Sequence, residues 1–229
     1  MDRLMALLGG SSTADAPKPG LSKSGSAPFG KTHERTVITR QSHGLEQFFA
    51  SMRDRGELAL LDFAEASQSN ITFITNLGHK ISSEDYVRSL ERAFGEEDFY
   101  AAQSDPERVD PFLRENLTFS ANRFDGVLLW DSLQFLTPPL IQHTADRLYE
   151  ITKPGANLLA FFHTDDKVAE IPVYNYRITD AKTLQLALRS HRKQAHFFNN
   201  RTLEKIFQRF ESVKFFLTRD HLREIIVKR

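Results

Sequence analysis

Cysteine is absent from the 229 residues. That excludes a disulfide framework and any metal site built on thiolates. A surplus of either charge is also missing, because 30 Lys and Arg balance 30 Asp and Glu. Domains that grip nucleic acid usually show a basic excess, so nucleic acid is not the expected partner. No stretch approaches the roughly 18 apolar residues of a membrane-spanning helix. Met1–Leu8 is apolar but stops at Gly9-Gly10, shorter than the ~7–15 residue core of a secretory signal. A soluble, cytoplasmic protein without a membrane partner is therefore the expectation. The eight histidines show no short metal-binding spacing, and no metal is expected. Phenylalanine is plentiful at 19 against a single Trp, which points to a Phe-packed core.

Gly9–Gly30 is rich in Gly, Ser, Pro, Ala and Lys and poor in large apolar residues. Such a composition cannot offset the entropy of ordering, so residues 1–34 are expected to form a flexible tail. Leu4, Leu7 and Leu8 at its tip could form one side of a short helix that docks on a protein partner. The globular domain is placed at 35–229. Within it the hydrophobic period alternates between helix and strand. Helical spacing appears at Leu45–Met52, Asn70–Leu77, Val87–Phe94, Pro106–Asn116, Pro138–Thr152 and Arg201–Phe210. Strands are expected at Leu58–Phe63, His79–Ser83, Phe124–Trp130, Asn157–His163, Val213–Leu217 and Leu222–Val227. Gly78 is expected to end its helix in a left-handed conformation. Lys153-Pro154-Gly155 is expected to separate a helix from a strand. Residues 171–198 read as an inserted hairpin turning at Thr179-Asp180-Ala181-Lys182. This alternation predicts a parallel sheet covered on both faces, with an antiparallel pair at its end.

The stretch LLDFAEASQSN reads as a strand ending in an acid, a tight turn and a helix. In open α/β sheets the carboxyl ends of the strands are where ligands collect. Glu84 and Asp85 close the second strand, and Glu84 follows Asp62 by 22 residues, near the ~20 typical of an acid that reaches ribose hydroxyls. With this stretch, the block FDGVLLWDSLQFLTPPLIQHTADRLYEITKPGANLLAFFHTDD and the ending FESVKFFLTRDHLREIIVKR make the chain resemble class I S-adenosylmethionine-dependent methyltransferases across Gly44–Arg229. The resemblance implies a Rossmann-like methyltransferase fold and S-adenosylmethionine as cofactor. It also implies a set of binding residues: Asp62 near the methionine end of the cofactor, and Ala64, Glu65, Ala66 and Ser67 in the turn. Glu84 or Asp85 would reach the ribose, with Glu84 preferred, and Trp130 and Asp131 would stand at the tip of the fourth strand. Where that family carries glycines, this turn carries Ala64, Ala66 and Gln68. An alanine adds a Cβ that can occupy ligand volume, so binding is weakened or rearranged. The family's third strand is indistinct over Leu117–Ser120, and no adenine-contacting residue is carried over.

Methyl transfer from a sulfonium needs mainly orientation and exclusion of water, with a general base only where the acceptor must lose a proton. Candidates for that base are Asp131 and His163, followed by Asp165 and Asp166. Tyr174, Tyr176 and Arg177 of the hairpin could line an acceptor site. The run Arg189-Ser190-His191-Arg192-Lys193 reads either as a grip for an anion or as a solvated face. Two functions follow from the residues. One is methyl transfer to an unidentified small-molecule or protein acceptor; the other is a catalytically inactive relative acting as an interaction or regulatory module. Nicotinamide-dependent reduction is disfavoured because the dinucleotide glycine fingerprint is absent.

Overall fold

The computed structural model describes residues 37–194, 196–218 and 220–229; the tail expected over 1–34 lies outside them. In chain order the elements are β1 (Val37–Gln41), α1 (His43–Ala50), β2 (Ala59–Asp62), α2 (Gln68–Asn76) and β3 (Lys80–Ser83). Next come α3 (Tyr86–Phe94), α4 (Phe99–Ala102), α5 (Pro106–Glu115), β4 (Phe124–Trp130), a 3-10 turn (Ser132–Phe135) and α6 (Pro138–Ile151). The chain ends with β5 (Thr152–His163), β6 (Glu170–Asp180), β7 (Thr183–Lys193), α7 (Asn200–Ile206), β8 (Ser212–Phe216) and β9 (Leu222–Lys228). No helix among the described residues is long and apolar enough to cross a membrane.

Local chemistry sets the element ends. Ser67 caps α2, its hydroxyl accepting the Asn70 N–H at 3.2 Å, and Gly78 (φ +82°) turns the chain beyond it as expected. Asp85 caps α3 through the Arg88 N–H at 3.0 Å. β4 is buried at every position, as befits a strand covered on both faces. Gly126 in its middle has a reason to be glycine. A Cβ there would meet Met52, Leu60 and Phe48 at 2.5–2.9 Å, so its absence lets α1 press onto the sheet.

Six strands make one sheet in the order β3-β2-β4-β5-β9-β8. β3, β2, β4 and β5 are parallel, and β9 runs antiparallel to both β5 and β8. This is the expected Rossmann-like sheet with its antiparallel terminal pair. The crossovers β2–α2–β3 and β4–α6–β5 step outward in opposite directions, and right-handed connections then put α2 and α6 on opposite faces. The reversal lies between β2 and β4, whose carboxyl ends therefore border the crevice of the sheet.

Two features depart from the sequence expectation, and Leu117–Ser120, already indistinct there, joins no sheet. Arg147 instead donates to the carbonyls of Leu117 (2.9 Å) and Phe119 (2.6 Å), taking the part of a strand neighbour. Lys153-Pro154-Gly155 lies inside β5 rather than before it. There Gly155 (φ +80°) sits in a bulge: two residues of β4, from Phe124 to Gly126, span five of β5, from Thr152 to Asn157. Finally, the hairpin β6–β7 is joined by β1, unforeseen in the sequence, into a second sheet of order β1-β7-β6. We refer to this second sheet as the cap.

Candidate cofactor crevice and its cap

Asp62 ends β2 with its side chain fully buried. Its carboxylate accepts from Trp130 Nε1 at 2.6 Å, from the Ala64 N–H at 2.9 Å and from Asn70 Nδ2 at 2.9 Å. Burial pushes its pKa up to about 6, against the pull of those three donors. Trp130 ends β4 with φ of 51°, a region that bulky L-residues rarely enter. This turn accompanies an indole that faces Asp62 and stacks on Tyr176 of β6, with centroids 4.9 Å apart and planes 6° from parallel. Asp131 follows and is buried as well, accepting the Tyr174 N–H at 3.4 Å. Burial raises its pKa to about 7, opposed by that N–H and by the Tyr176 hydroxyl facing it.

The cap is fastened on both sides. Asn70 donates to the Tyr176 carbonyl (3.2 Å) and accepts from the Ile178 N–H (2.8 Å), while Ser69 Oγ donates to the Ile178 carbonyl (2.7 Å). On the far side, Arg40 of β1 pairs with Asp220 at 2.5 Å and with the fully buried Glu224. Glu224 also accepts from Ser42 Oγ (3.0 Å) and the Gly44 N–H (2.5 Å). At the third point a bulge intervenes: Val173 pairs with Ser190 but Tyr174 with Leu188, leaving Arg189 unpaired in the ladder. Bulges re-aim side chains. The Arg189 guanidinium reaches Asp85 at 3.3 Å and Glu91 at 2.8 Å.

These contacts close the crevice. The space bordered by Phe63, Ala64, Asp85, Trp130, Asp131 and Tyr176 is about 10 Å³, about enough for one water. Sites for ligands of cofactor size measure roughly 300–1,000 Å³. The crevice itself therefore does not fit S-adenosylmethionine with the cap in place.

Placement of the sequence candidates is mixed. Asp62, Trp130 and Asp131 converge as expected, and Ala64 and Glu65 border the crevice. Ala66 and Ser67 line an adjoining, solvent-open groove of about 400 Å³ with Gln68 and Arg177, which shares Ala64, Glu65, Asn175 and Tyr176 with the crevice. Glu84 and Asp85 are placed differently. Asp85 borders the crevice, whereas Glu84 accepts from the Leu117 N–H at 3.4 Å, and burial raises its pKa. His163 ends β5 outside the crevice lining, its N–H on Gln134 Oε1 at 3.0 Å. Burial depresses its pKa, and its Nε2 is buried without a hydrogen bond to any described residue. Asp165 and Asp166 also lie outside the lining. Tyr176 fills the crevice rather than lining an acceptor site. In the 189–193 run, Arg189 is tied to Asp85 and Glu91, and Arg192 pairs with Glu91 at 3.0 Å and stacks over Phe99 at 4.0 Å. No cluster of potential metal ligands occurs among the described residues.

Sequence reasoning missed Asn70, Arg40 and Glu224. Asn70 was visible as a polar residue in an apolar helical stripe, a signal for a buried hydrogen-bonded role. Arg40 and Glu224 lie 184 residues apart, and nothing local marks them as partners.

Strand order, switch point and acid-tipped strands define a Rossmann-like α/β domain. No protein-family model and no curated protein matches the chain. Among solved structures, it is similar to the 1,6-didemethyltoxoflavin-N1-methyltransferase of Burkholderia thailandensis, solved with 1,6-didemethyltoxoflavin and S-adenosylhomocysteine bound. Identity there is 13%, with 81% of this chain and 76% of that one covered at a TM-score of 0.43. It is also similar to a SAM-dependent methyltransferase of Methanosarcina mazei, at 13% identity over 79% of this chain and 95% of that one, TM-score 0.43.

Proposed function

We propose that this chain is a methyltransferase-like protein that does not turn over S-adenosylmethionine, its fold serving as an interaction or regulatory module. The observation that carries this reading is the Trp130–Tyr176 stack filling the crevice. Asp62 accepts from Trp130, Ala64 and Asn70, and Asp85 is paired with Arg189. The partner we propose is a protein that engages the amino-terminal segment. Balanced charge argues against nucleic acid. Calorimetric titration of the full chain with S-adenosylmethionine and S-adenosylhomocysteine tests the reading. We expect no heat and no thermal stabilisation at millimolar ligand; a saturable heat with a raised melting temperature overturns it.

One observation favours a second reading, methyl transfer to an unidentified acceptor after the cap lifts. Asp62 and Asp131 are buried at the ends of β2 and β4 with no ion-pair partner within 4 Å among the described residues, and burying carboxyls away from cations is costly. A scaffold has no use for that cost. In this reading Asp131 is the candidate base.

A further inference from the structure

We propose that the cap is a pH-governed clasp, in which Asp131 and Asp62 keep it shut when protonated and loosen it when ionised. The geometry places the two acids on either side of one clamp. Asp62 holds the Trp130 indole by Nε1, and Asp131 is the next residue along the chain. Both are sealed by the cap: the Tyr176 ring covers Trp130, its hydroxyl faces Asp131, and the Tyr174 N–H reaches Asp131 Oδ2. On the carboxyl side of β5 the cap is joined through residues 164–169, which form neither helix nor strand. That connection can accommodate movement.

The charged groups around the pair do not neutralise it. Arg189 of β7 is the cation that acts on Asp131, and its guanidinium is already committed to Asp85 and Glu91. Glu65 and Asp85 add negative charge at the lip of the crevice. Arg40 of β1 acts on Tyr176 but is held by Asp220 and Glu224. Asp62 meets only neutral donors, from Trp130, Ala64 and Asn70. A second negative charge in so dry a space is relieved by taking a proton or by admitting water. Lifting the cap admits water.

The direction follows from linkage. An open crevice returns both acids toward the ordinary 3.8, whereas the closed one holds them at about 6 and about 7. The closed state therefore binds more protons between those limits, and rising pH favours opening there. The open population grows by up to about tenfold per pH unit for each acid. Growth stops near pH 6 for Asp62 and near pH 7 for Asp131.

Hydrogen exchange of the Tyr174, Tyr176 and Ile178 amides tests the clasp, comparing the full chain with Asp131→Asn at each pH. The ratio cancels the intrinsic pH dependence of exchange. We expect the ratio of wild type to Asp131→Asn to rise toward tenfold per unit between about pH 5 and 7, then level off. A ratio that does not change with pH overturns the proposal. So do cap amides that exchange only as fast as those of β4. Should Asp131→Asn fail to fold, the ratio of cap to β4 amide exchange in the wild type decides alone: it should rise over the same pH range, and a flat ratio overturns the clasp. No ligand enters the measurement, so its outcome is separate from whether the crevice binds S-adenosylmethionine.

Discussion

Trp130 and Tyr176 decide the character of the crevice. The left-handed turn at Trp130 costs on the order of 1–2 kcal/mol, offset by the stack on Tyr176 and the bond to Asp62. Tyr176→Ala should destabilise the domain by about 3 kcal/mol, the usual range for emptying a buried aromatic site. Urea unfolding measures that loss. The same variant leaves the chain's single Trp facing a cavity, so its fluorescence should shift to the red; unchanged emission would mean neighbouring side chains have closed the gap. Asp62 and Trp130 were legible as strand tips, since an apolar run ending in an acid says where the sheet stops. The role of Tyr176 was not legible. Along a strand, side chains alternate faces, and the bulge at Arg189 alters how β6 and β7 register. No residue near Tyr176 announces that shift.

Among the elements, β4 and α1 show how a sheet position constrains its helix. Gly126 has no room for a methyl against Phe48, Leu60 and Met52. Gly126→Ala should therefore lower stability by about 1–3 kcal/mol through overpacking, read as a reduced urea midpoint with an unchanged slope. A Gly inside an apolar strand run was visible, but its close contact with α1 depends on packing between segments over 60 residues apart. The major helices and the main-sheet strands were readable because each repeats its own period over a local window. β1 was not. Its exposed Val37 and Ile38 give no clean alternation, and its register with β7 pairs Val37 with Ala187. The Lys-Pro-Gly segment was read as a stop, yet Gly155 lets β5 absorb it as a bulge.

For the molecule as a whole, the hydrophobic core joins residues from Leu45 to Val227 and draws on both the sheet and the cap. Deleting residues 1–30 leaves every described core residue in the chain. We expect the melting temperature to stay within about 2 °C, equivalent to no more than ~1 kcal/mol for a domain of this size. Proteins that co-purify with the full chain should be lost on this deletion; retention of the same set would count against an amino-terminal docking role. The order of apolar, polar and turn-forming residues was enough to specify an α/β domain with acids at its strand ends, because each of those features is written in a few adjacent positions. Whether the acids face a ligand or the protein's own side chains was settled by folding. Tyr176, Arg189 and Asn70 reach the crevice through pairings between distant segments, and the space left between such segments depends on how they pack, which no local pattern records.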